Sequence, residues 1–216
     1  MTAPGGSVLG VVIAGGASRR MGREKAFVAL AGEPLLAHVI QRLAPQVHAL
    51  VVNARGDAER FAAFGREVIA DSPRWRDRGP LGGVEAALRY ALAHGFHCIA
   101  TAPCDAPFLP LDLVARLEDA AVGASVCVAE GPGGLEPAFA LWRADARAGV
   151  ETALAEGVAS LRDALARLGA KIVRFDRDDD GDRFANVNTP ADLAAAEARL
   201  GDGPKRSRWR AEPPPG

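Results

Sequence analysis

The fold of this chain is decided near its amino terminus by the stretch Val8-Leu9-Gly10-Val11-Val12-Ile13-Ala14-Gly15-Gly16. A short apolar run that does not alternate with polar residues is typical of a parallel strand buried on both faces. The two glycines that follow it indicate that the strand runs directly into a loop. The sequence therefore predicts a buried first strand that delivers a glycine-rich loop to one edge of a sheet.

Similar apolar runs recur along the first half of the chain and alternate with helical patterns. Strands are predicted at residues 49–53, 67–71 and 97–102, and helices at residues 34–43, 57–64, 84–94 and 111–120. Strands that alternate with helices favour a mostly parallel sheet with helices on both faces, which is a three-layer α/β fold.

The second half has a less regular pattern. Strands are predicted at residues 125–129, 138–142 and 171–175, and helices at residues 144–155 and 161–168. A last helix is predicted from Thr189 and Pro190 to Leu200, with threonine as N-cap and proline in the first helical position. We expect a single domain over residues 1–200, followed by a disordered, basic and proline-rich tail at 201–216.

Composition and charge limit the classes of function. The chain has 216 residues and a net charge of −1, so nothing global indicates a nucleic-acid or membrane partner. Its three cysteines form no CxxC pair, which argues against a disulfide framework or a zinc site. The amino terminus lacks the regions of a signal peptide, and residues 8–14 are too few to span a bilayer. We therefore expect a cytoplasmic protein.

The segment of residues 14–25 combines glycines with the cations Arg19, Arg20, Arg23 and Lys25. Glycine allows the backbone to approach a ligand, and successive free amides form a concave anion site. This predicts a phosphate-binding loop, and the alternative is a tight turn with solvated basic residues. The spacing fits neither the P-loop pattern G-x-x-x-x-G-K-[ST] nor the dinucleotide pattern G-x-G-x-x-G.

Polar residues follow three of the later strands directly, namely Asn53, Asp71 and Asp105. Ligands of open α/β sheets bind outside the carboxyl ends of the strands, so these residues should meet the glycine-rich loop. Asp105 lies between Pro103 and Pro107, where its carboxylate is placed to hold Mg²⁺ beside phosphate oxygens. The alternative for Asp105 is an Asx-type turn residue.

Two other constellations do not support a site. Asp176, Asp178, Asp180 and Gly181 match the opening of a calcium loop, but the twelfth position, which needs a bidentate glutamate, is Val187. The four histidines show no metal-ligand spacing, and no Ser-His-Asp system can be assembled from them.

Four segments together resemble molybdenum cofactor guanylyltransferases. They are similar to that family's L-A-G-G-x-S-x-R-M-G-x-x-K, G-P-L-A-G, P-C-D-x-P and N-x-N-T-P-x-D-L signatures, and they lie in the same order over residues 8–200. The matching segments here are residues 13–25, 79–83, 103–107 and 186–193.

The resemblance implies a nucleotidyltransferase fold, with a nucleotide-binding half at about residues 8–110 and an acceptor-binding half at 111–200. It implies Mg²⁺-dependent transfer of GMP from GTP to molybdenum-bound molybdopterin, with release of pyrophosphate. Arg20, Lys25 and Asp105 would be catalytic, and Asp105 would also bind the metal. Asn186 and Asn188 would receive phosphate or metal-bound water, or else serve as turn and cap residues. The residues that would contact GTP are Ile13, Ala14, Gly15, Gly16, Lys25, Asn53, Asp71, Gly82 and Asp105.

One residue departs from the family pattern. The family usually has a polar or basic residue before a proline near residues 135–137, and this chain has Glu136. A carboxylate there would repel an anionic pterin phosphate, so Glu136 either bonds pterin ring nitrogens or points away.

Several alternatives remain open at this point. They are a cytidylyltransferase for the same pterin, a sugar- or polyol-phosphate nucleotidyltransferase, and a non-catalytic module that binds GTP or pterin and delivers cofactor to a molybdoenzyme. We expect a monomer that makes transient contacts with cofactor-synthesis proteins or a client molybdoenzyme.

Overall fold

The structure is a computed structural model that describes residues 7–15, 24–176 and 181–201. Gly16 and Arg20 in the glycine-rich loop, Asp178 and Asp180 in the rejected calcium pattern, and the predicted tail beyond Gly201 lie outside them.

The central sheet is built around the strand predicted first. β1 (Val8–Ile13) pairs in parallel with β4 (Ala49–Asn53) on one side and with β6 (Cys98–Pro103) on the other. β5 (Glu67–Ile69) extends the sheet in parallel beyond β4. Because these four strands are parallel, their carboxyl ends lie at one edge, which is where the polar residues named above follow them.

The other half of the sheet contains the antiparallel exception. β8 (Gly134–Arg143) pairs antiparallel with both β6 and β7 (Val126–Gly131), and β9 (Lys171–Arg174) pairs in parallel with β7. The strand order is therefore β5-β4-β1-β6-β8-β7-β9. A separate antiparallel ribbon is formed by β2 (Ala29–Leu30) and β3 (Glu33–Pro34). The predicted mostly parallel α/β sheet is confirmed.

Helices cover both faces of the sheet because alternate strand residues supply an apolar surface to each side. α1 (Leu35–Leu43) and α3 (Leu113–Ala120) pack on one face. α2 (Gly79–Ala93), α4 (Arg147–Ala155) and α5 (Leu161–Arg167) pack on the other. No helix in the described part of the chain is long and apolar enough to cross a membrane.

The last helix, α6 (Pro190–Leu200), begins as the sequence predicts. Thr189 Oγ1 accepts from the amide of Asp192 at 3.2 Å, and Asp192 Oδ2 accepts from the amide of Thr189 at 2.8 Å. This reciprocal pair is a capping box. Val187 and Ala196 pack with Leu30 and Leu35 in a small separate cluster, which holds the start of α6 against the β2–β3 ribbon.

The β2–β3 ribbon was not predicted from the sequence, and several predicted elements differ in type or bounds. Residues 57–64 form a 3₁₀ helix at Ala58–Phe64 that ends at Gly65, whose φ is +60°. Helix α2 begins at Gly79 rather than at Val84, because its glycines form the first turns of the helix. Strand β8 begins at Gly134 because a short glycine-containing turn joins it to β7 as a hairpin.

Candidate active site

The carboxyl ends of β1, β4, β5 and β6 surround a cleft of about 500 Å³. The apolar wall includes Pro80, Ala138 and Leu161. Most of the residues that the sequence predicts for the site line this cleft: Ile13, Ala14, Gly15, Lys25, Asn53, Asp71 and Asp105.

Lys25 joins three distant parts of the chain inside the cleft. Its ammonium donates to Asp105 Oδ2 at 2.6 Å and to Asn188 Oδ1. The amide of Val187 donates to the backbone carbonyl of Asp105 at 2.8 Å, which ties the two loops together a second time. The end of the glycine-rich loop, the loop after β6 and the start of α6 therefore meet at one charged point.

Asn188 is held in place by the cap of α6. Its amide donates to Asp192 Oδ2 at 2.9 Å, and this bond, with those from Thr189, lowers the pKa of the Asp192 carboxyl. The carboxylate that organises the helix start therefore stays ionised at neutral pH. Asn186, two residues earlier, has a buried side-chain oxygen that has no hydrogen-bond partner among the described residues.

A second polar group lies at the other side of the cleft. Asn53 is 2% exposed, and its amide nitrogen donates to Asp71 Oδ1 at 3.0 Å. Arg55 donates to Asp71 Oδ2 at 3.3 Å and, through its other terminal nitrogen, to Asp77 Oδ1 at 3.1 Å. Both oxygens of the Asp71 carboxylate thus have a donor before any ligand is bound.

Two glycines of α2 make room for this group. A Cβ at Gly82 would lie 2.7 Å from the carbonyl oxygen of Trp75 and 3.5 Å from Asp71 Oδ2. A Cβ at Gly83 would lie 2.9 Å from Cγ of Asn53. Gly82 therefore packs against the Asp71 side of the cleft, although it is not among the residues that line the cavity.

We expect Gly83→Ala to displace Asn53 and to break its hydrogen bond to Asp71. The close contact in a packed interior should lower the free energy of unfolding by about 1–3 kcal/mol. Nucleotide affinity should fall as well, since Asp71 loses the donor that orients it. Urea unfolding and nucleotide titration measure the two effects. Gly133→Ala is the control because a Cβ there meets no atom within 4 Å, and equal behaviour of the two variants would contradict the prediction.

Glu136 lies on β8 opposite Ala129 of β7 and is half-buried. Burial raises the pKa of its carboxyl, the nearby Asp182 raises it further, and Arg162 lowers it in part. Glu136 is not among the residues that line the cleft.

Cys104 precedes Asp105 but does not provide a nucleophile. Burial raises the pKa of its thiol far above the usual value, and the charge of Asp105 acts in the same direction. The thiol therefore stays protonated at neutral pH, and covalent catalysis by this cysteine has no support.

Asp105 is the candidate ligand for a metal ion in the cleft. The described residues contain no group of three or more His, Cys, Asp or Glu side chains placed to hold one. Mg²⁺ is commonly bound by only one or two carboxylates, with substrate phosphates and water as its remaining ligands. The single carboxylate of Asp105 would fit such an ion if a ligand with phosphate groups occupied the cleft.

Sequence reasoning did not find Arg55 and Asp77, which line the cleft with the predicted residues. Arg55 lies two positions after Asn53, so the rule on strand ends could have included it. Asp77 lies in the β5–α2 connection with a φ of +71°, and no pattern in the sequence marks it.

Comparisons with known proteins agree with this architecture. A family profile described as "MobA-like NTP transferase domain" matches residues 10–172. The chain is 43% identical to a molybdenum cofactor guanylyltransferase of Cereibacter sphaeroides over 194 residues, covering 89% of this chain and 97% of that protein. It is 41% identical to one from Rhodobacter capsulatus over 193 residues, covering 89% of this chain and 96% of the other.

Solved structures share this fold. Molybdopterin-guanine dinucleotide biosynthesis protein A from Archaeoglobus fulgidus matches with a TM-score of 0.72 and 27% identity, covering 89% of this chain and 98% of that one. A 4-diphosphocytidyl-2C-methyl-D-erythritol synthase from Anaerococcus prevotii has a TM-score of 0.67 at 13% identity, covering 91% of this chain and 96% of that one, and shows the fold alone. The predicted nucleotidyltransferase fold is confirmed.

Proposed function

Because the chain belongs to the MobA-like NTP transferase family, we propose that it transfers GMP from GTP to molybdenum-bound molybdopterin and releases pyrophosphate. The observation that carries this proposal is the contact of Lys25 with both Asp105, which lines the cleft with it, and Asn188, which lies beside the cleft. Lys25 and Asp105 belong to the nucleotide-binding half at about residues 8–110. Asn188 belongs to the acceptor-binding half at residues 111–200, so the reacting groups would meet between the halves.

The transfer needs no general base in this proposal. The terminal phosphate of the pterin is already ionised near neutral pH and can attack the α-phosphate of GTP directly. Catalysis then consists of positioning the two phosphates and neutralising the charge that develops on the leaving pyrophosphate. A half-buried ammonium such as that of Lys25 is suited to the second task, and Arg20 is proposed to assist along the triphosphate.

Lys25 would change partners when the nucleotide binds. Its flexible stem lets the ammonium turn from Asp105 towards the triphosphate without movement of the backbone. Asp105 would then be available to hold Mg²⁺, which supplies charge neutralisation at the phosphate oxygens when bound. Ile13, Ala14, Gly15 and Gly16 are proposed to line the nucleotide path, with Asn53, Asp71 and Gly82 at its far end.

The acceptor is proposed to bind on the α6 side of the cleft. The side chains of Asn186 and Asn188 lie just before the start of a capped helix, and the buried Asn186 oxygen has no hydrogen-bond partner in the described part of the chain. Amides at such a position suit phosphate or metal-bound water. Glu136 is proposed to lie beyond these two asparagines, towards the pterin. The protein is proposed to act in the cytoplasm as a monomer, without nucleic acid or membrane, and to make transient contacts with cofactor-synthesis proteins or a client molybdoenzyme.

A nucleotide panel with Mg²⁺ and molybdopterin tests the proposal by measuring pyrophosphate release. We expect release with GTP and molybdopterin together, and none with either alone. Release with CTP and not GTP would instead indicate a cytidylyltransferase. Release with a sugar or polyol phosphate as the acceptor, and not with molybdopterin, would indicate the corresponding transferase. Binding of GTP and pterin without release would indicate a delivery module.

A further inference from the structure

The cleft extends from Asp71 to Asp105, and the charged groups at its two ends differ, which favours one orientation of a bound nucleotide. Asp71 follows β5 and Asp105 follows β6, and these strands are separated in the sheet by β4 and β1. Neighbouring strands lie about 4.8 Å apart, so the strand ends that these residues follow are separated by three spacings, or about 14 Å. The Lys25 ammonium lies at the Asp105 end. Phosphates are attracted to that end by the ammonium, whereas Asp71 already pairs with Arg55 and offers carboxylate oxygens that suit the N–H donors of a base. The base is therefore expected towards Asp71.

Arg55 reaches Asp71 from the neighbouring strand end, after β4. A Cβ placed at Gly15 would lie 3.5 Å from Cγ and 3.8 Å from Nε of Arg55, so the stem of the arginine runs beside that glycine. Its guanidinium then bonds Asp71 Oδ2 on one terminal nitrogen and Asp77 Oδ1 on the other. The Asp71 side chain is 6% exposed and that of Arg55 is 40% exposed, so the guanidinium lies at the open side of the carboxylate.

The Asp71 carboxylate is held in position beside Arg55 by a second partner. Asn53 holds its Oδ1 from the buried side, and Asn53 is itself confined by Gly83. Each carboxylate oxygen can accept more than one hydrogen bond, and a guanidinium has five N–H donors. Both groups therefore keep hydrogen-bonding capacity for a ligand while they remain bonded to each other.

The Asp71–Arg55 pair presents the two acceptor oxygens of the carboxylate, followed by the donor groups of the guanidinium. Guanine presents two donors, N2–H and N1–H, followed by the acceptor O6, which is the complementary order. Adenine and cytosine each present an amino donor beside a ring-nitrogen acceptor, so one of their acceptors would face the Asp71 carboxylate. A buried polar group that loses its partner in this way is costly, which makes such a site selective.

We propose that Arg55 is a base-selecting residue that donates a hydrogen bond to O6 of guanine, beside the two donors that Asp71 accepts. This inference rests on the proposed function for the identity of the nucleotide. It assigns to Arg55 a contact with the substrate rather than only the neutralisation of Asp71.

Two GTP analogues separate the contacts. In 6-thio-GTP a sulfur, which is a weak acceptor, replaces O6, and both donors remain. In ITP the 2-amino group is absent, and N1–H and O6 remain. Isothermal titration with Mg²⁺ and without acceptor gives a dissociation constant for each nucleotide. The wild-type protein should bind GTP at least about tenfold more tightly than 6-thio-GTP, because the lost bond has a charged donor.

Arg55→Met retains the stem beside Gly15 and removes the donors. We expect it to reduce the preference for GTP over 6-thio-GTP to about one, and to leave the preference for GTP over ITP unchanged. Arg55→Lys should retain part of the first preference, because it keeps one charged donor. Asp77→Asn is the matched control, because it weakens only the outer partner of Arg55, and asparagine tolerates the positive φ at this position.

Each outcome decides the inference. If Arg55→Met weakens GTP, 6-thio-GTP and ITP by the same factor, Arg55 only neutralises Asp71 and the inference is wrong. If Asp77→Asn also abolishes the preference for O6, the effect comes from the orientation of the loop, and the inference is likewise wrong. Failure of the proposed function has a different signature, since the wild-type protein would then release no pyrophosphate from GTP with molybdopterin.

Discussion

Asp105→Ala is expected to lower kcat by about 10³-fold, the magnitude typical of losing a group that stabilises charge in the transition state. The Asp105 carboxylate forms an ion pair with Lys25 at 2.6 Å, and it is proposed to hold Mg²⁺ at the phosphates. The backbone bond from Val187 to the Asp105 carbonyl does not involve the side chain, so the fold should be retained. Steady-state pyrophosphate release at saturating GTP measures the effect, and thermal unfolding checks the fold.

Asp105→Asn tests whether the carboxylate acts through its charge or only as a partner of Lys25. An amide oxygen can still accept from the ammonium, but it carries no charge for Mg²⁺. We therefore expect Asp105→Asn to be nearly as impaired as Asp105→Ala. Asp145→Ala is the control, because Asp145 is exposed and follows β8 at the opposite edge of the sheet. Near-normal turnover by Asp105→Ala would overturn the metal assignment.

Lys25→Met is expected to lower kcat by about 10²–10³-fold, with a smaller change in the KM for GTP. The methionine retains most of the apolar stem and removes the ammonium that would balance charge on the leaving pyrophosphate. Lys25→Arg should recover only part of the activity, because a planar guanidinium cannot replace a compact ammonium between Asp105 and Asn188. Lys171→Met on the exposed edge strand β9 is the matched control.

The combined variant Lys25→Met with Asp105→Asn sharpens this test. Two residues that act on the same phosphates should show strongly non-additive losses, so the double variant should be little worse than the poorer single variant. If Lys25→Met raises only the KM and leaves kcat unchanged, Lys25 would bind ground state and transition state equally. The proposed role at the leaving group would then be wrong.

The local patterns predict much of the fold because they depend on neighbouring residues. The apolar runs at β1 and β4 and the Thr189 N-cap of α6 lie where the sequence places them. The glycine-rich start of α2 is different. Glycine has low helix propensity, so its helical conformation at Gly82 and Gly83 follows from close packing against Trp75, Asp71 and Asn53 rather than from local preference.

In the candidate site, too, the sequence predicts some features and not others. The rule that ligands bind at the carboxyl ends of parallel strands predicts that Asn53, Asp71 and Asp105 meet at one edge of the sheet, and all three line the cleft. The same rule predicts nothing about which side chains touch. Arg55 was missed because its role depends on the direction in which a long side chain leaves a loop.

By itself, the sequence determined the order of strands and helices, the edge of the sheet that carries the site, and the residue types available there. Only the tertiary structure decided that Lys25 meets Asn188, 163 residues away, and that Arg55 shares the Asp71 carboxylate with Asn53. The physical reason is that these contacts are set by packing at long range. Burial of Val187 and Ala196 against Leu30 and Leu35 brings the start of α6 to the cleft, and no local pattern encodes that distance.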